Sequence, residues 1–387
     1  MFPTRIASSP TTESGILDYY RARGGVIFLS YCRFWERHAF VQQALAKTLV
    51  DAGIRVTWFD GVGWKPYAPT LYWNSPHLKV RQLPAVPGRR FSDGITNLSL
   101  DLQWRLVEKK IREHGGQPVI WVQGGIDEGL AERLPYIDFF STFDDPYRHQ
   151  PQGVLLQKAS QILCQNSFTL QRLSATFPSK SHLFLPPLEL GDHLYLDAQD
   201  SLKLPKKFPE KIMGYVGSFG SLGFDLPLFE RVVRELPDWG FLLMGRTDRE
   251  GQESLNRLSS FANFHYQPWA PRERTRAAWQ LLDVSLLLYR RLASQDGAFP
   301  SKVSESLYFN TPCVATSIPK TGDLEGFFPR ENQPDALMEA AVRAADKSPE
   351  EIKKAYQYFS EKSDPLRYLE RAAEIRVATE SPNRSNG

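Results

Sequence analysis

Short apolar runs typical of strands alternate with helical patterns along the chain, and this alternation begins twice. The first series of strand-like runs lies at residues 26–29, 55–59, 119–122, 137–143, 162–164 and 183–185. After a proline- and lysine-rich stretch at 201–211, a second series lies at 212–216, 241–244, 264–266, 284–288 and 313–315. Strands separated by helices pair in parallel through right-handed crossovers, with helices on both faces of the sheet. The sequence therefore predicts an α/β protein of two doubly wound halves joined by a linker.

The composition is that of a soluble globular protein. Of the 387 residues, 42% are apolar and 24% are charged, and a net charge of +3 is too small to indicate nucleic acid as a partner. The three cysteines lie far apart, without metal-site or disulfide spacing. No run approaches the roughly 18 apolar residues that cross a bilayer, and residues 1–23 lack the apolar middle of a signal peptide. We expect a cytoplasmic protein.

The segment 300–316 (PSKVSESLYFNTPCVAT) has the pattern of a loop, a short helix, a tight turn and a buried strand. Pro300 and Ser301 suit the first turn of a helix, and Asn310 tolerates the left-handed conformation that ends one. Helix amino termini beside parallel strands attract phosphate. Glu305, one turn into the helix, is well placed for the two hydroxyls of a ribose. The segment therefore predicts a nucleotide diphosphate site.

A glycine-rich turn at 214–220 (GYVGSFG) ends the first strand of the second half. Its small residues allow backbone amides to approach a ligand closely. The spacing differs from the dinucleotide fingerprint, and no acidic residue stands at the expected distance after it. By itself the turn is as typical of a tight strand-to-helix connection as of phosphate binding.

Seven segments of the second half, taken in order, resemble the nucleotide-binding domain of retaining GT-B glycosyltransferases, most closely that of the large family 4. They are 214–217 (GYVG), Asp225, 236–239 (LPDW), 242–245 (LLMG), 282–287 (LDVSLL), 300–302 (PSK) and 311–316 (TPCVAT). The first half is similar more loosely, through 83–89 (LPAVPGR), 139–145 (FFSTFDD), 166–167 (NS) and 185–187 (LPP). Residues 188–190 (LEL) stand where the family usually has the asparagine and glycine of a turn.

The resemblance implies a GT-B fold, with two Rossmann-like domains facing a central cleft. The expected parts are an acceptor-binding domain at 1–200, a linker at 201–211, a nucleotide-sugar-binding domain at 212–355, and a helix at 356–378 that packs back on the first domain. The tail at 379–387 is predicted to be disordered. The implied reaction is transfer of a sugar, with retention, from a nucleotide diphosphate sugar to a saccharide or lipid-linked acceptor. No metal or other cofactor is expected.

The resemblance also assigns donor-binding roles. Glu305 would hold the ribose hydroxyls, and the amides around Ser301 would face the diphosphate. The remaining donor contacts would come from Gly217 and Ser218 at the phosphate, Arg246 and Trp269 beside the base, and Arg290.

Two departures from the family pattern affect these roles. The first glutamate of the family's pair falls at Gly297, so the adjacent Asp296 becomes the candidate for the donor sugar. The loop 218–224 lacks the arginine and lysine that hold the phosphates in many relatives. Lys302, Arg290 or Arg291 would then supply the positive charge, and Lys302 is the candidate for stabilising the leaving group.

His149 is the third candidate catalytic residue, beside Lys302 and Asp296, because it follows a strand of the first half on the side of the expected cleft. It would touch the acceptor or the donor sugar. A solvated loop histidine is the alternative interpretation.

The stretch 64–91 is basic and aromatic and has no acidic residue. A solvated loop face and a surface for an anionic lipid or polyprenyl-linked acceptor are equally compatible with it. The second alternative would place the protein peripherally on the inner membrane face.

Two other functions are compatible with the sequence. Gly297 and the uncharged loop after Gly217 would suit a catalytically silent GT-B protein that acts as a binding or assembly partner. A sugar-nucleotide epimerase of the same fold is a weaker alternative.

Overall fold

The computed structural model describes residues 17–30, 41–63, 75–87, 93–124, 126–142, 153–188, 202–220, 223–271, 274–290, 302–316 and 333–380. Within these residues, the strands form two entirely parallel sheets, as the alternation predicted. The first sheet has the order β3-β2-β1-β4-β5-β6-β7. Its strands are β1 (Val26–Ser30), β2 (Val56–Gly63), β3 (Leu78–Pro84), β4 (Val119–Gln123), β5 (Ile137–Thr142), β6 (Ala159–Cys164) and β7 (Ser181–Leu183).

Helices cover both faces of the first sheet. They are α1 (Asp18–Ala22), α2 (Val41–Asp51), α3 (Asp93–Glu113), α4 (Glu128–Arg133), α5 (Gly153–Lys158) and α6 (Ser167–Ser174). One buried cluster joins the sheet to α2 and to the last helix of the chain, and another joins its opposite face to α3, α4, α5 and α6. Because both faces are buried, β1 and β4 carry continuous apolar runs rather than an alternating pattern.

The second sheet has the order β10-β9-β8-β11-β12. Its strands are β8 (Ile212–Val216), β9 (Gly240–Gly245), β10 (Phe264–Pro268), β11 (Val284–Leu287) and β12 (Cys313–Ala315). The helices of this half are α7 (Leu226–Glu235), α8 (Arg249–Leu258), α9 (Arg276–Leu281), α10 (Lys302–Tyr308), α11 (Pro334–Ala344) and α12 (Pro349–Ser363). Helix α9 packs on one face, and the other five pack on the opposite face.

The final helical region is divided, where the resemblance implied one helix over 356–378. Helix α12 ends at Ser363, Asp364 is extended, and α13 spans Pro365–Glu380. The break has a local cause, because a proline disfavours helical backbone at the residue before it. Helix α13 then lies on the first sheet, where Tyr368 and Leu369 are buried with Trp121.

Two residues of the segment predicted to be a disordered tail, 379–387, are helical. Thr379 and Glu380 belong to α13, and Gln161 of β6 donates a hydrogen bond to the Thr379 hydroxyl at 3.1 Å. The rest of that segment, 381–387, lies outside the described residues.

Strand β3 corrects the interpretation of 64–91 as a continuous loop. Leu78 and Val80 of β3 are buried, whereas Lys79 and Arg81, which alternate with them, are exposed. The alternation is that of an edge strand with one solvated face, so part of the basic surface belongs to the sheet. Residues 64–74 and 88–91 of that stretch lie outside the described residues. None of the described helices is long and apolar enough to cross a bilayer.

Asp138, at the start of β5, ties α13 to the first sheet. Its side chain is fully buried and accepts hydrogen bonds from Arg23 at 3.3 Å, from Arg376 at 3.1 Å and from the backbone N–H of Ile120 at 2.9 Å. Arg23 precedes β1 and Arg376 lies in α13. The Asp138 carboxylate therefore joins the neighbouring strands β4 and β5 to helix α13.

Candidate functional site

The carboxyl edge of the second sheet brings together the donor-binding residues predicted from sequence that the structure describes. Gly217 and Ser218 follow β8, Arg246 follows β9, and Trp269 follows β10. Arg290 lies just beyond β11. Chain order reverses between the neighbours β8 and β11, and ligands of open α/β sheets bind outside the carboxyl ends of the strands at such a switch point. The predicted candidates Asp296, Gly297, Arg291, Ser301 and His149 lie outside the described residues.

The glycine turn continues the pairing of β8 with β9 beyond the ends of both strands. The N–H of Gly217 donates to the carbonyl of Met244 at 2.9 Å, and the N–H of Phe219 donates to that of Arg246 at 2.8 Å. Gly245 has a φ of +152°, and a Cβ on it would lie 1.8 Å from the carbonyl oxygen of Gly217. Only glycine fits there, because the two backbones are in direct contact.

The chain after β11 is held from two directions. Tyr289 forms an antiparallel bridge with Phe224, and its backbone N–H and carbonyl both bond to the hydroxyl of Thr316, at 2.7 and 2.9 Å. The N–H of Arg290 donates to the carbonyl of Gly223 at 3.0 Å. The residues after β8 and those after β11 therefore meet at the switch point.

Arg246 and Trp269 form a cation–π pair at this edge. The guanidinium carbon lies 3.9 Å from the centroid of the indole ring, and both side chains are exposed. An indole that is 42% exposed is unusual for its size. The pair presents a flat aromatic surface and a cation to any planar ligand at the ends of β9 and β10.

Lys302 and Glu305 form an ion pair in the first turn of α10. The ammonium lies 2.5 Å from a carboxylate oxygen of Glu305, whose side chain is 8% exposed against 27% for Lys302. Asn310, with a φ of +59°, ends the helical region as its sequence predicted. The hydroxyl of Ser306 donates to the carbonyl of Thr311 at 2.7 Å and so fixes the turn into β12.

Arg290 also has a carboxylate partner, Glu250 in α8, with 3.1 Å between the Arg290 Nη2 and the Glu250 Oε1. Both cations that the sequence analysis assigned to the diphosphate and that the structure describes, Lys302 and Arg290, are therefore held by carboxylates of the chain.

Two tyrosines at the switch point were missed by the sequence analysis. Burial raises the pKa of Tyr215 to about 12, with Glu305 adding to the rise, and a hydrogen bond from Tyr289 partly offsets it. Burial and the neighbouring Tyr215 raise the pKa of Tyr289 well above its ordinary value. Both phenols are therefore neutral hydrogen-bonding groups near Glu305. Tyr215 lies inside the glycine-rich segment, and that position was its only signal in the sequence.

The described residues contain no group of three or more His, Cys, Asp or Glu side chains placed to hold a metal ion. Cys164 and Cys313 are buried, and burial raises the pKa of each thiol to about 12, so neither is a reactive nucleophile.

Comparison with known sequences gives one partial relative. No protein-family model matches the chain. A stretch of 114 residues is 24% identical to TuaH of Bacillus subtilis (strain 168), provisionally described as a teichuronic acid biosynthesis glycosyltransferase. The match covers 30% of this chain and 28% of TuaH, less than a third of either protein.

Solved structures resemble the chain over most of its length. The E. coli trehalose-6-phosphate structure bound with UDP-2-fluoro glucose has a TM-score of 0.64 at 11% identity and covers 91% of this chain and 99% of its own. Anabaena Alr3699/HepE in complex with UDP has a TM-score of 0.63 at 10% identity, with the same coverages of 91% and 99%. WaaG, a glycosyltransferase involved in lipopolysaccharide biosynthesis, has a TM-score of 0.55 at 14% identity, again over 91% and 99%. The chain has the GT-B fold that its sequence predicted, with two Rossmann-like doubly wound domains.

Proposed function

We propose that this chain is a retaining glycosyltransferase that binds a nucleotide diphosphate sugar at the carboxyl edge of its second sheet. One observation carries the proposal. In a GT-B fold, the carboxyl edge of the second sheet gathers a glycine turn, a buried carboxylate and an exposed aromatic–cation pair. These are the three kinds of group that a diphosphate, a ribose and a base require.

The base stacks on Trp269, beside Arg246. An exposed indole at the ends of β9 and β10 offers a face for stacking, and the guanidinium at 3.9 Å restricts the ring's orientation. This arrangement supports stacking of any planar base. Contacts with the edge of the base would then determine which base is bound.

Glu305 accepts hydrogen bonds from the two ribose hydroxyls. Its side chain is almost fully buried and belongs to a short helix beside β12, so its position is defined before any ligand arrives. Bidentate acceptance by an ionised carboxylate is a strong, oriented interaction. The ribose then lies next to Lys302, the ion-pair partner of Glu305.

The diphosphate is the leaving group. In the transfer, the bond from the anomeric carbon to the diphosphate oxygen breaks, and a bond to an acceptor hydroxyl oxygen forms on the same face. The hydroxyl proton passes to the departing diphosphate. The N–H of Ser218 and the cations of Lys302 and Arg290 stabilise the charge that develops on that oxygen. The roles of Asp296 and His149 at the sugar remain predictions.

A saccharide or lipid-linked acceptor, in cell-surface polysaccharide or glycoconjugate synthesis, completes the proposal. Its support is the involvement of TuaH in teichuronic acid biosynthesis and of WaaG in lipopolysaccharide biosynthesis. Independence from metals, a cytoplasmic location and contact of 64–91 with the inner membrane face belong to the same proposal. Transfer in the presence of a chelator and sedimentation with anionic vesicles test the first and last of these.

Calorimetry with UDP, GDP, ADP and TDP tests the donor site. One of them should bind the purified chain, and at 100 times its Kd it should raise the free energy of unfolding by about 2.7 kcal/mol. Glu305→Ala should weaken that binding by about 50-fold, because two hydrogen bonds to a charged group are lost, and should not weaken the binding of inorganic diphosphate, because it also frees Lys302 from its carboxylate. Glu339→Ala, which removes an exposed carboxylate of α11, is the control.

No binding of any of the four diphosphates at millimolar concentration would refute the donor site, and unchanged affinity in Glu305→Ala would refute the ribose contact. With a donor identified, the anomeric configuration of the product by NMR tests retention. Nucleotide binding without transfer to any acceptor would instead favour the catalytically silent partner.

A further inference from the structure

The backbone of the glycine turn is fixed on both sides of the peptide bond between Gly217 and Ser218. On one side, the N–H of Gly217 is bonded to the carbonyl of Met244. On the other side, the N–H of Phe219 is bonded to the carbonyl of Arg246, and the carbonyl of Ser218 accepts from the Tyr215 hydroxyl at 3.3 Å. These bonds fix the two peptides that flank the one between Gly217 and Ser218.

The contact between the Gly217 carbonyl and Gly245 determines the direction of the Ser218 N–H. The carbonyl oxygen of Gly217 faces Gly245 of β9, since a Cβ there would lie 1.8 Å from it. In a trans peptide the C=O and N–H point in opposite directions, and the described chain has no cis peptide bond. The Ser218 N–H therefore points away from β9, toward the side of β11. Ser218 is exposed, and no described residue accepts from its N–H.

Tyr215 is itself held in place. It is 4% exposed, and its ring lies 4.6 Å from that of Phe224. A side-chain hydrogen bond with Tyr289 lowers the pKa of the Tyr215 phenol, and the backbone of Tyr289 is bonded on both sides to Thr316. The two tyrosines connect the two chain segments that meet at the switch point.

We propose that Tyr215 is a positioning residue for diphosphate recognition: its hydroxyl, together with the bond from Phe219 to Arg246, fixes the peptide after Ser218 and so restricts the backbone torsions at Ser218 on which the direction of its N–H depends. Tyr289 acts through Tyr215. The inference rests on the proposed donor site and adds the groups that orient its backbone donor. Without the phenol, the peptide that follows Ser218 keeps only the bond from Phe219 to Arg246, and the anion binds a turn that is less ordered in advance.

The test compares Tyr215→Phe and Tyr289→Phe with Tyr136→Phe. Tyr136 is a matched control, because its hydroxyl also donates to a backbone carbonyl, that of Pro118 at 2.8 Å, in the first sheet. Calorimetry uses three probes: the diphosphate of the UDP, GDP, ADP and TDP panel that binds best, its nucleoside, and inorganic diphosphate.

Tyr215→Phe should weaken the binding of the two diphosphate probes about tenfold, the effect of losing one hydrogen bond to a charged group, here the bond from the Ser218 N–H to the diphosphate. It should change the affinity for the nucleoside less than twofold. Tyr289→Phe should weaken the diphosphate probes about threefold, and Tyr136→Phe should leave all three unchanged. Equal losses for diphosphate and nucleoside, or no loss for either, would overturn the proposal. If Tyr215→Phe does not fold, Tyr289→Phe alone decides, because it leaves Tyr215 in the core.

A direct readout separates this proposal from the donor function. In protein labelled with ¹⁵N-serine, the Ser218 amide resonance, assigned by its loss in Ser218→Ala, should shift with inorganic diphosphate and shift less in Tyr215→Phe. That result without binding of any nucleotide would support the anion site and refute the donor function. No shift with inorganic diphosphate in the wild-type chain would overturn the anion site itself.

Discussion

Replacing Asp138 should destabilise the first half of the molecule more than any surface charge change. The carboxylate is fully buried and satisfies three donors at once: the guanidinium groups of Arg23 and Arg376, and the N–H of Ile120. The two arginine side chains are 19% and 16% exposed, so water can replace few of the hydrogen bonds that they lose with Asp138.

The magnitude follows from these contacts. Asp138→Ala leaves the buried N–H of Ile120 without an acceptor, at a cost of about 1–3 kcal/mol. It also leaves the guanidinium groups of Arg23 and Arg376 with Glu380, whose side chain is 43% exposed, as their remaining carboxylate partner. Breaking a buried ion pair by removing one partner costs about 3–5 kcal/mol, and Glu380 offsets part of that cost. Since the two costs overlap, we expect a loss of about 4 kcal/mol. Asp138→Asn keeps an acceptor for Ile120 and should lose about 2 kcal/mol.

Urea unfolding followed by hydrogen exchange and mass spectrometry measures the effect in each half separately, because exchange reports local stability. Peptides from β1, β4, β5 and α13 should lose protection together, while peptides from the second sheet keep theirs. The control is Glu339→Ala, whose ion pair with Arg343 is 72% and 67% exposed and should contribute under about 1 kcal/mol. A loss below about 1 kcal/mol in Asp138→Ala, or a loss confined to α13, would refute the reasoning.

Three further changes test individual features. Gly245→Ala places a Cβ against the carbonyl of Gly217 at a φ of +152° and should cost about 3 kcal/mol. Gly53→Ala, at a φ of +73° with open space around it, should cost about 1 kcal/mol, and urea midpoints compare the two. Burial lowers the pKa of His114, so the unfolded chain binds its proton more readily, and stability should fall as the pH drops below about 6.5. His114→Asn should reduce the difference between the urea midpoints at about pH 7.5 and pH 5.5. Gln123→Leu removes a fully buried amide for which no described residue is a hydrogen-bond partner, and it should leave stability unchanged or raise it by about 1 kcal/mol. A clear loss of stability would show that the amide has a partner.

Most of the strands that were predicted from sequence share one physical property. In β1 and β8, for example, every residue is buried, so the run of apolar residues is continuous and its length gives the strand. Strand β3 escaped prediction because it lies at the sheet edge, where Lys79 and Arg81 face solvent between buried neighbours. Its charges made it indistinguishable from the loops on either side.

The site was predictable where local backbone chemistry decides the outcome. The left-handed conformation of Asn310 is a property of one residue in its local sequence. The bond from Tyr215 to the Ser218 carbonyl depends on how a buried strand enters its turn, and the bond from Tyr289 to Tyr215 joins residues 74 positions apart in sequence. Asp138 looks like an isolated charge in an apolar run until Arg23 and Arg376 are placed beside it. Long-range pairing sets these contacts, so no single segment contains their signal.

The ion pairs at the carboxyl edge change which group should dominate diphosphate binding. From the sequence, that role was expected of Lys302 and Arg290, since each is a cation near the expected phosphate. In the structure, Lys302 is paired with Glu305 and Arg290 with Glu250, so a diphosphate must compete with a carboxylate for either cation. The free energy that each cation contributes to diphosphate binding is then the difference between its contact with the diphosphate and its contact with the carboxylate. The Ser218 N–H has no competing carboxylate among the described residues, and its direction is already fixed. A backbone donor that is oriented in advance loses only water when it binds an anion. The absence of arginine and lysine from the loop 218–224 is therefore compatible with a working donor site, provided that Tyr215 keeps the amide in place.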